Sequence, residues 1–157
     1  MEIINNNYNI DLEKVTDKLG EPIDKGIIEG VAVLNKLGFP TSQSCEGHLD
    51  RGYPFPWIEI YPHEPEEENW KENSALREKV IQEENKYKNK FQELIDSYNK
   101  EKGFSQSKFK FVDIEYGFRF QTSDNRDTNE MNIKEKEKFL KQTRNNLSDF
   151  IEFLKNK

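Results

Sequence analysis

Phe109-Lys110-Phe111-Val112-Asp113-Ile114-Glu115-Tyr116-Gly117-Phe118-Arg119-Phe120-Gln121-Thr122 is the stretch that decides the fold class. Apolar and polar residues alternate along it, which is the period at which successive side chains leave opposite faces of a strand. The pattern predicts Val112, Ile114, Tyr116, Phe118 and Phe120 on one face and Asp113, Glu115, Arg119 and Gln121 on the other. Gly117 marks a bulge or bend within it. Trp57-Ile58-Glu59-Ile60-Tyr61 repeats the alternation in shorter form, and Phe39 to Cys45 reads as a further extended segment.

The flanking sequence is helical. Ile23, Ile27, Val31 and Leu34 form an apolar stripe that predicts a helix from Pro22 to Leu37, with Gly26 and Gly30 inside it. Each of those glycines costs up to about 1 kcal/mol of helix propensity and implies a close approach by a neighbour. Residues 66–102 and 131–156 read as two long helices, the first closed by Gly103. Residues 1–10 read as an arm or edge strand. Asp11 starts a short helix through Leu12, Val15 and Leu19. Residues 123–131 read as a polar loop. The expected architecture is α+β, a small and mainly antiparallel sheet packed against one short and two long helices, in a single domain over residues 1–157.

Bulk properties narrow the function classes. The chain has 157 residues and a formal charge of -6, with 33% hydrophobic and 34% charged residues. Eleven Phe, six Tyr and two Trp supply a core and argue against disorder. The acidic total disfavours nucleic acid as a partner. A single cysteine excludes an internal disulfide and fits a reducing compartment. With no signal-peptide pattern and no run of about 18 apolar residues, the expectation is a soluble cytoplasmic protein. The two long helices offer a surface for homo-oligomerisation.

Chemistry concentrates in Ser42-Gln43-Ser44-Cys45-Glu46-Gly47-His48-Leu49-Asp50. The only cysteine and one of two histidines stand three residues apart, across a glycine that permits a tight turn. Cys45 and His48 are candidate catalytic residues, because an imidazole beside a thiol favours the reactive thiolate. Ser42, Ser44, Glu46, Gly47 and His48 form a candidate ligand-binding cradle, with Arg119 as an anion partner able to bind in two-point fashion. The aromatic run Tyr53 to Trp57 suits a flat ligand or, more plainly, a loop folded over the core. A buried strand cysteine and an ordinary turn histidine also explain Cys45 and His48 without chemistry. No metal site is assigned. The weaker set for one is Cys45, His48 and His63 with Glu59 or Asp50, and it lacks any Cys-x-x-Cys or His-Glu-x-x-His spacing.

The run from Ile23-Asp24 through Ile27–Leu37 to Phe39-Pro40-Thr41-Ser42-Gln43-Ser44-Cys45-Glu46-Gly47-His48 resembles the tRNA wybutosine-synthesis methyltransferase family. In that family an Asp-rich helix start leads through a helix to a Thr-Thr/Ser-Ser-Cys-x-Gly-Arg turn. The likeness covers about residues 23–48. It implies an α/β fold, S-adenosylmethionine and a modified guanosine in tRNA, and it sets Ser44, Cys45 and Gly47 in the family turn. His48 stands where that family has arginine. The turn is also similar to that of small bacterial or phage-type proteins carrying Ser-Cys-x-Gly-His, a likeness that names no activity. The functional expectation is a polar pocket at the Ser44–His48 turn for a small polar or nucleotide-like ligand, with no cofactor named. The alternatives are an enzyme, either a distant S-adenosylmethionine-dependent RNA-modifying methyltransferase or a Cys45/His48 hydrolase or transferase, and a helical interaction protein.

Overall fold

The computed structural model describes residues 16, 20, 22–122 and 127–157. The expected N-terminal arm, the helix from Asp11 to Leu19 apart from Thr16, and residues 123–126 of the 123–131 loop lie outside the described residues. The elements run α1 (Ile28–Lys36), β1 (Thr41–Cys45), β2 (Trp57–Ile60), α2 (Ser74–Lys102), β3 (Lys110–Ile114), β4 (Gly117–Gln121) and α3 (Ile133–Lys155). The four strands form one antiparallel sheet in the order β1-β2-β4-β3. The α+β expectation, with one short and two long helices, matches this architecture.

One face of the sheet is the floor of the core. Ile58, Ile60, Phe118 and Phe120 are fully buried there. Phe91 of α2 meets Phe111, Phe118 and Phe120, and Phe150 of α3 meets Phe109 and Phe120, with ring centroids 4.7–6.1 Å apart. Edge-to-face and tilted pairs of this kind add about 0.5–1.5 kcal/mol each beyond the area they bury. The small α1 closes the layer at the β1 side, where a Cβ at Gly30 would stand 3.2 Å from Ile151 and 3.7 Å from Ile58. The close approach expected at Gly30 is therefore to core side chains.

Three element boundaries differ from the sequence reading, each for a physical reason. The 109–122 stretch is a hairpin and not one strand. β3 and β4 reverse over Glu115 and Tyr116, and Tyr116 takes a left-handed φ of 62°. Pairing of Phe111 with Phe120 and of Val112 with Arg119 swaps the parity, so Val112 and Ile114 lie on the Arg119 face. Asp113 pairs with Phe118 and reaches Lys88 of α2. The first helix begins at Ile28 and not at Pro22, and the Gly26 N–H ahead of it is taken by the Glu46 carboxylate at 2.8 Å in place of a helical carbonyl. Side-chain competition for backbone groups disfavours helix in this way. The long helix begins at Ser74, where Asn73 accepts from the N–H groups of Ala75 and Leu76 at 3.1 and 3.2 Å. It then runs about 44 Å at the standard rise to Gly103. Residues 70–72 form a separate short 3₁₀ turn that buries Trp70 against Tyr116.

Candidate functional site

β1 is an edge strand, and its register slips between Thr41 and Ser44. Thr41 pairs with Ile60, whereas Ser44 pairs with Ile58 and Cys45 with Trp57. Opposed residues in an antiparallel pair share a face. The irregularity has the form of a β-bulge, which re-aims the side chains beyond it. Ser44 accordingly shares the helix-packed face with Ile58, and Cys45 shares the opposite face with Trp57. Strict alternation from Thr41 would have done the reverse.

Beyond Cys45 the chain turns through Gly47, whose φ of 82° belongs to the left-handed region. Three side chains fasten this turn. Asp24 Oδ2 accepts the Glu46 N–H at 3.2 Å, and Glu46 reciprocates through Gly26 N–H. From α3, Arg144 donates to both carbonyls of the turn, Nε to Glu46 O at 3.0 Å and Nη2 to Gly47 O at 2.6 Å. The loop base is closed by His48 N–H to Tyr53 O at 3.0 Å. Gly47 itself is packed between Leu140 and the Phe55 backbone.

These locks bring three chemically distinct groups together. The His48 Nε2 lies 3.3 Å from Asp24 Oδ2. A ligand atom from each of Asp24, Cys45 and His48 lies within 4.8 Å of the other two. The thiol also accepts the Gly47 N–H at 3.4 Å. Burial pushes the Cys45 thiol up from its ordinary value. The Gly47 N–H works against that rise, while the carboxylates of Asp24 and Glu46 add to it and Arg51 offsets part. The protonated thiol is thus the favoured form in this setting. All three residues are half-buried, with His48 at 17% and Asp24 at 32% side-chain exposure, so one side of the cluster remains reachable.

The other expected site residues are placed as follows. Ser42 is buried and its hydroxyl donates to Glu59 at 3.3 Å. Arg119 Nη2 donates to Glu59 Oε1 at 2.9 Å, and its guanidinium lies 4.3 Å from the centre of the Trp57 ring. Its buried Nε has no hydrogen-bond partner among the described residues. Gly47 N–H and the Glu46 carboxylate are both engaged inside the turn. The weaker metal set does not assemble among the described residues. Glu59 belongs to Arg119 and Ser42, and His63 lines a separate cavity of about 430 Å³ with Lys79, Val80 and Glu83. Asp24 joins the cluster although no local motif marks it, and its one signal in the sequence is its place at the start of the 23–48 resemblance. A cavity of about 100 Å³ adjoins the turn between Gly26, Gly30, Pro56 and Arg144. No helix among the described residues is long and apolar enough to cross a membrane.

Comparison with known proteins returns no match among family models, curated proteins or solved structures.

Proposed function

We propose that the chain binds a small polar or nucleotide-like ligand at the 44–48 turn, with Asp24 and His48 as its polar contacts. The observation that carries this reading is the convergence of Asp24, Cys45 and His48 at a turn held rigid by Arg144 and Glu46. Preorganisation of this kind lowers the ordering cost of binding. The neighbouring surface supports it. Leu49 and Tyr53 of the same loop are two of the three exposed large apolar side chains among the described residues. Tyr53 stacks on Phe55 with centroids 5.0 Å apart, has the Arg119 guanidinium 5.9 Å from its ring centre, and still keeps 47% of its surface exposed.

Native mass spectrometry of the full chain, after incubation with a small-molecule extract of cells, tests the proposal. The expected result is an organic mass retained by the wild type and lost from His48→Ala. Bare wild-type protein, or equal retention by His48→Ala, overturns it. A second reading, with Cys45 as a nucleophile and His48 as its base, is favoured by their proximity and weakened by the raised thiol. For that reading, Cys45→Ser would abolish turnover and spare ligand affinity. The S-adenosylmethionine reading rests on the turn resemblance alone.

A further inference from the structure

We propose that Asp24, Cys45 and His48 bind a single transition-metal dication of the zinc class, leaving a fourth coordination position open. This names the chemistry of the site proposed above and rests on that site being a binding site, but it needs no organic ligand. A carboxylate oxygen, a sulfur and an imidazole nitrogen converge from two parts of the chain 24 positions apart. Mixed sulfur, nitrogen and oxygen donors suit zinc and its neighbours, whereas calcium and magnesium take oxygen alone. Three protein ligands with one open position are the arrangement of reactive zinc centres, and four closed ligands that of structural ones.

The geometry fits with little movement. Metal–ligand distances of about 2.3 Å for sulfur and about 2.0–2.2 Å for nitrogen or oxygen set ligand-to-ligand edges of about 3.4–3.6 Å at tetrahedral angles. The Asp24–His48 edge is already 3.3 Å. The sulfur lies within 4.8 Å of both, so closing the triangle asks for an approach on the order of 1 Å. The outer partners of such a site are also in place. Gly47 N–H points at the sulfur and Glu46 N–H at Asp24 Oδ2, each holding a ligand in position. Asp24 and a Cys45 thiolate together balance a dipositive ion. Binding releases one proton from the Cys45 thiol to solvent, and the thiolate sulfur gives its electron pair to the metal. The side left open by Asp24 and His48 is where a water or a ligand's donor atom would complete the coordination.

Anaerobic titration of the chelator-treated full chain with Co²⁺ tests this directly. The expected result is one equivalent bound, with a thiolate-to-cobalt charge-transfer band and the intense visible bands of a four-coordinate ion, both removed by Zn²⁺. Cys45→Ser should abolish the charge-transfer band. Asp24→Asn and His48→Ala should each weaken binding at least about 100-fold, since even outer partners of metal ligands are worth about 10–100-fold. His63→Ala should change nothing. Wild-type protein that gives no charge-transfer band overturns the proposal whatever the variants do. So does a band that survives in Asp24→Asn and His48→Ala, or one that depends on His63. The mass-spectrometric test above reads an organic mass and this one a metal band, so failure of either is told apart from failure of the other.

Discussion

Gly47→Ala should lower stability by far more than the same change at Gly52, and the difference isolates the packing of the candidate turn. Both glycines have left-handed backbones, at φ 82° and 61°. A Cβ at Gly52 would meet nothing within 4 Å. At Gly47 it would stand 2.7 Å from Leu140 Cδ1, 2.7 Å from the Phe55 carbonyl carbon and 3.0 Å from Phe55 N. Leu140 can swing away. The Phe55 backbone cannot, because the bonds from His48 N–H to Tyr53 O and from Thr122 N–H to Pro56 O hold its neighbours. The left-handed conformation costs alanine about 1–2 kcal/mol, offset by about 0.4–1 kcal/mol from a stiffer unfolded chain. Gly52→Ala should therefore lose about 1 kcal/mol or less by these two effects. Overpacking adds about 1–3 kcal/mol at Gly47, for a total of about 2–4 kcal/mol. With a urea slope of about 1–3 kcal/mol/M, the midpoint should fall by about 1–2 M with the slope unchanged. Urea unfolding followed by circular dichroism makes the comparison. Losses for the two variants that agree within about 0.5 kcal/mol, the scatter of ordinary surface substitutions, would refute the argument that Gly47 is fixed by close approach.

Two further outcomes test the surrounding contacts. Arg144→Ala should cost about 1–2 kcal/mol, the lower part of the range for hydrogen bonds from a charged donor because the side chain is exposed. Arg144→Lys should recover only part of that loss, since an ammonium lacks the fork that spans Glu46 O and Gly47 O; thermal unfolding at neutral pH measures both. The Tyr98 hydroxyl donates to Asp149 Oδ2 at 2.6 Å, and this bond is the main cause holding the Asp149 carboxyl below its ordinary value, with Lys102 assisting. A carboxylate lowered in the folded state stabilises fully above its unfolded value of about 4 and loses that contribution as pH falls through the folded value. Tyr98→Phe should thus raise the Asp149 value, cost about 1 kcal/mol at pH 7, and approach the parent's stability as pH falls through the lowered folded value of Asp149. Carboxyl-carbon NMR titration with paired urea melts decides it, and a cost that persists undiminished in acid would show that the loss is packing and not this bond.

What the sequence makes legible, and what it hides, follows from how far apart the interacting residues are. The alternation in 109–122 reveals sheet structure because it is local. The reversal at Glu115-Tyr116 stays hidden because tight hairpins usually advertise themselves with Asn-Gly or Asp-Gly, and here a tyrosine takes the left-handed position. One misplaced turn then inverts the face assignment of Val112, Ile114 and Asp113. The same logic governs the site. Cys45 and His48 are visible as a pair because three residues separate them. The slip between Thr41 and Ser44, which turns Cys45 to the Trp57 face, leaves no compositional trace. Asp24 is hidden by distance along the chain. It also does two things at once: the oxygen that holds Glu46 N–H is the one nearest His48 Nε2. The turn and the cluster therefore share a single carboxylate. A ligand or ion that draws on Asp24 must act on a group already fixed in place, which favours binding without rearrangement of the loop. It also means that Asp24→Asn, which keeps an acceptor for Glu46 N–H while removing the charge, separates the two roles better than any truncation would.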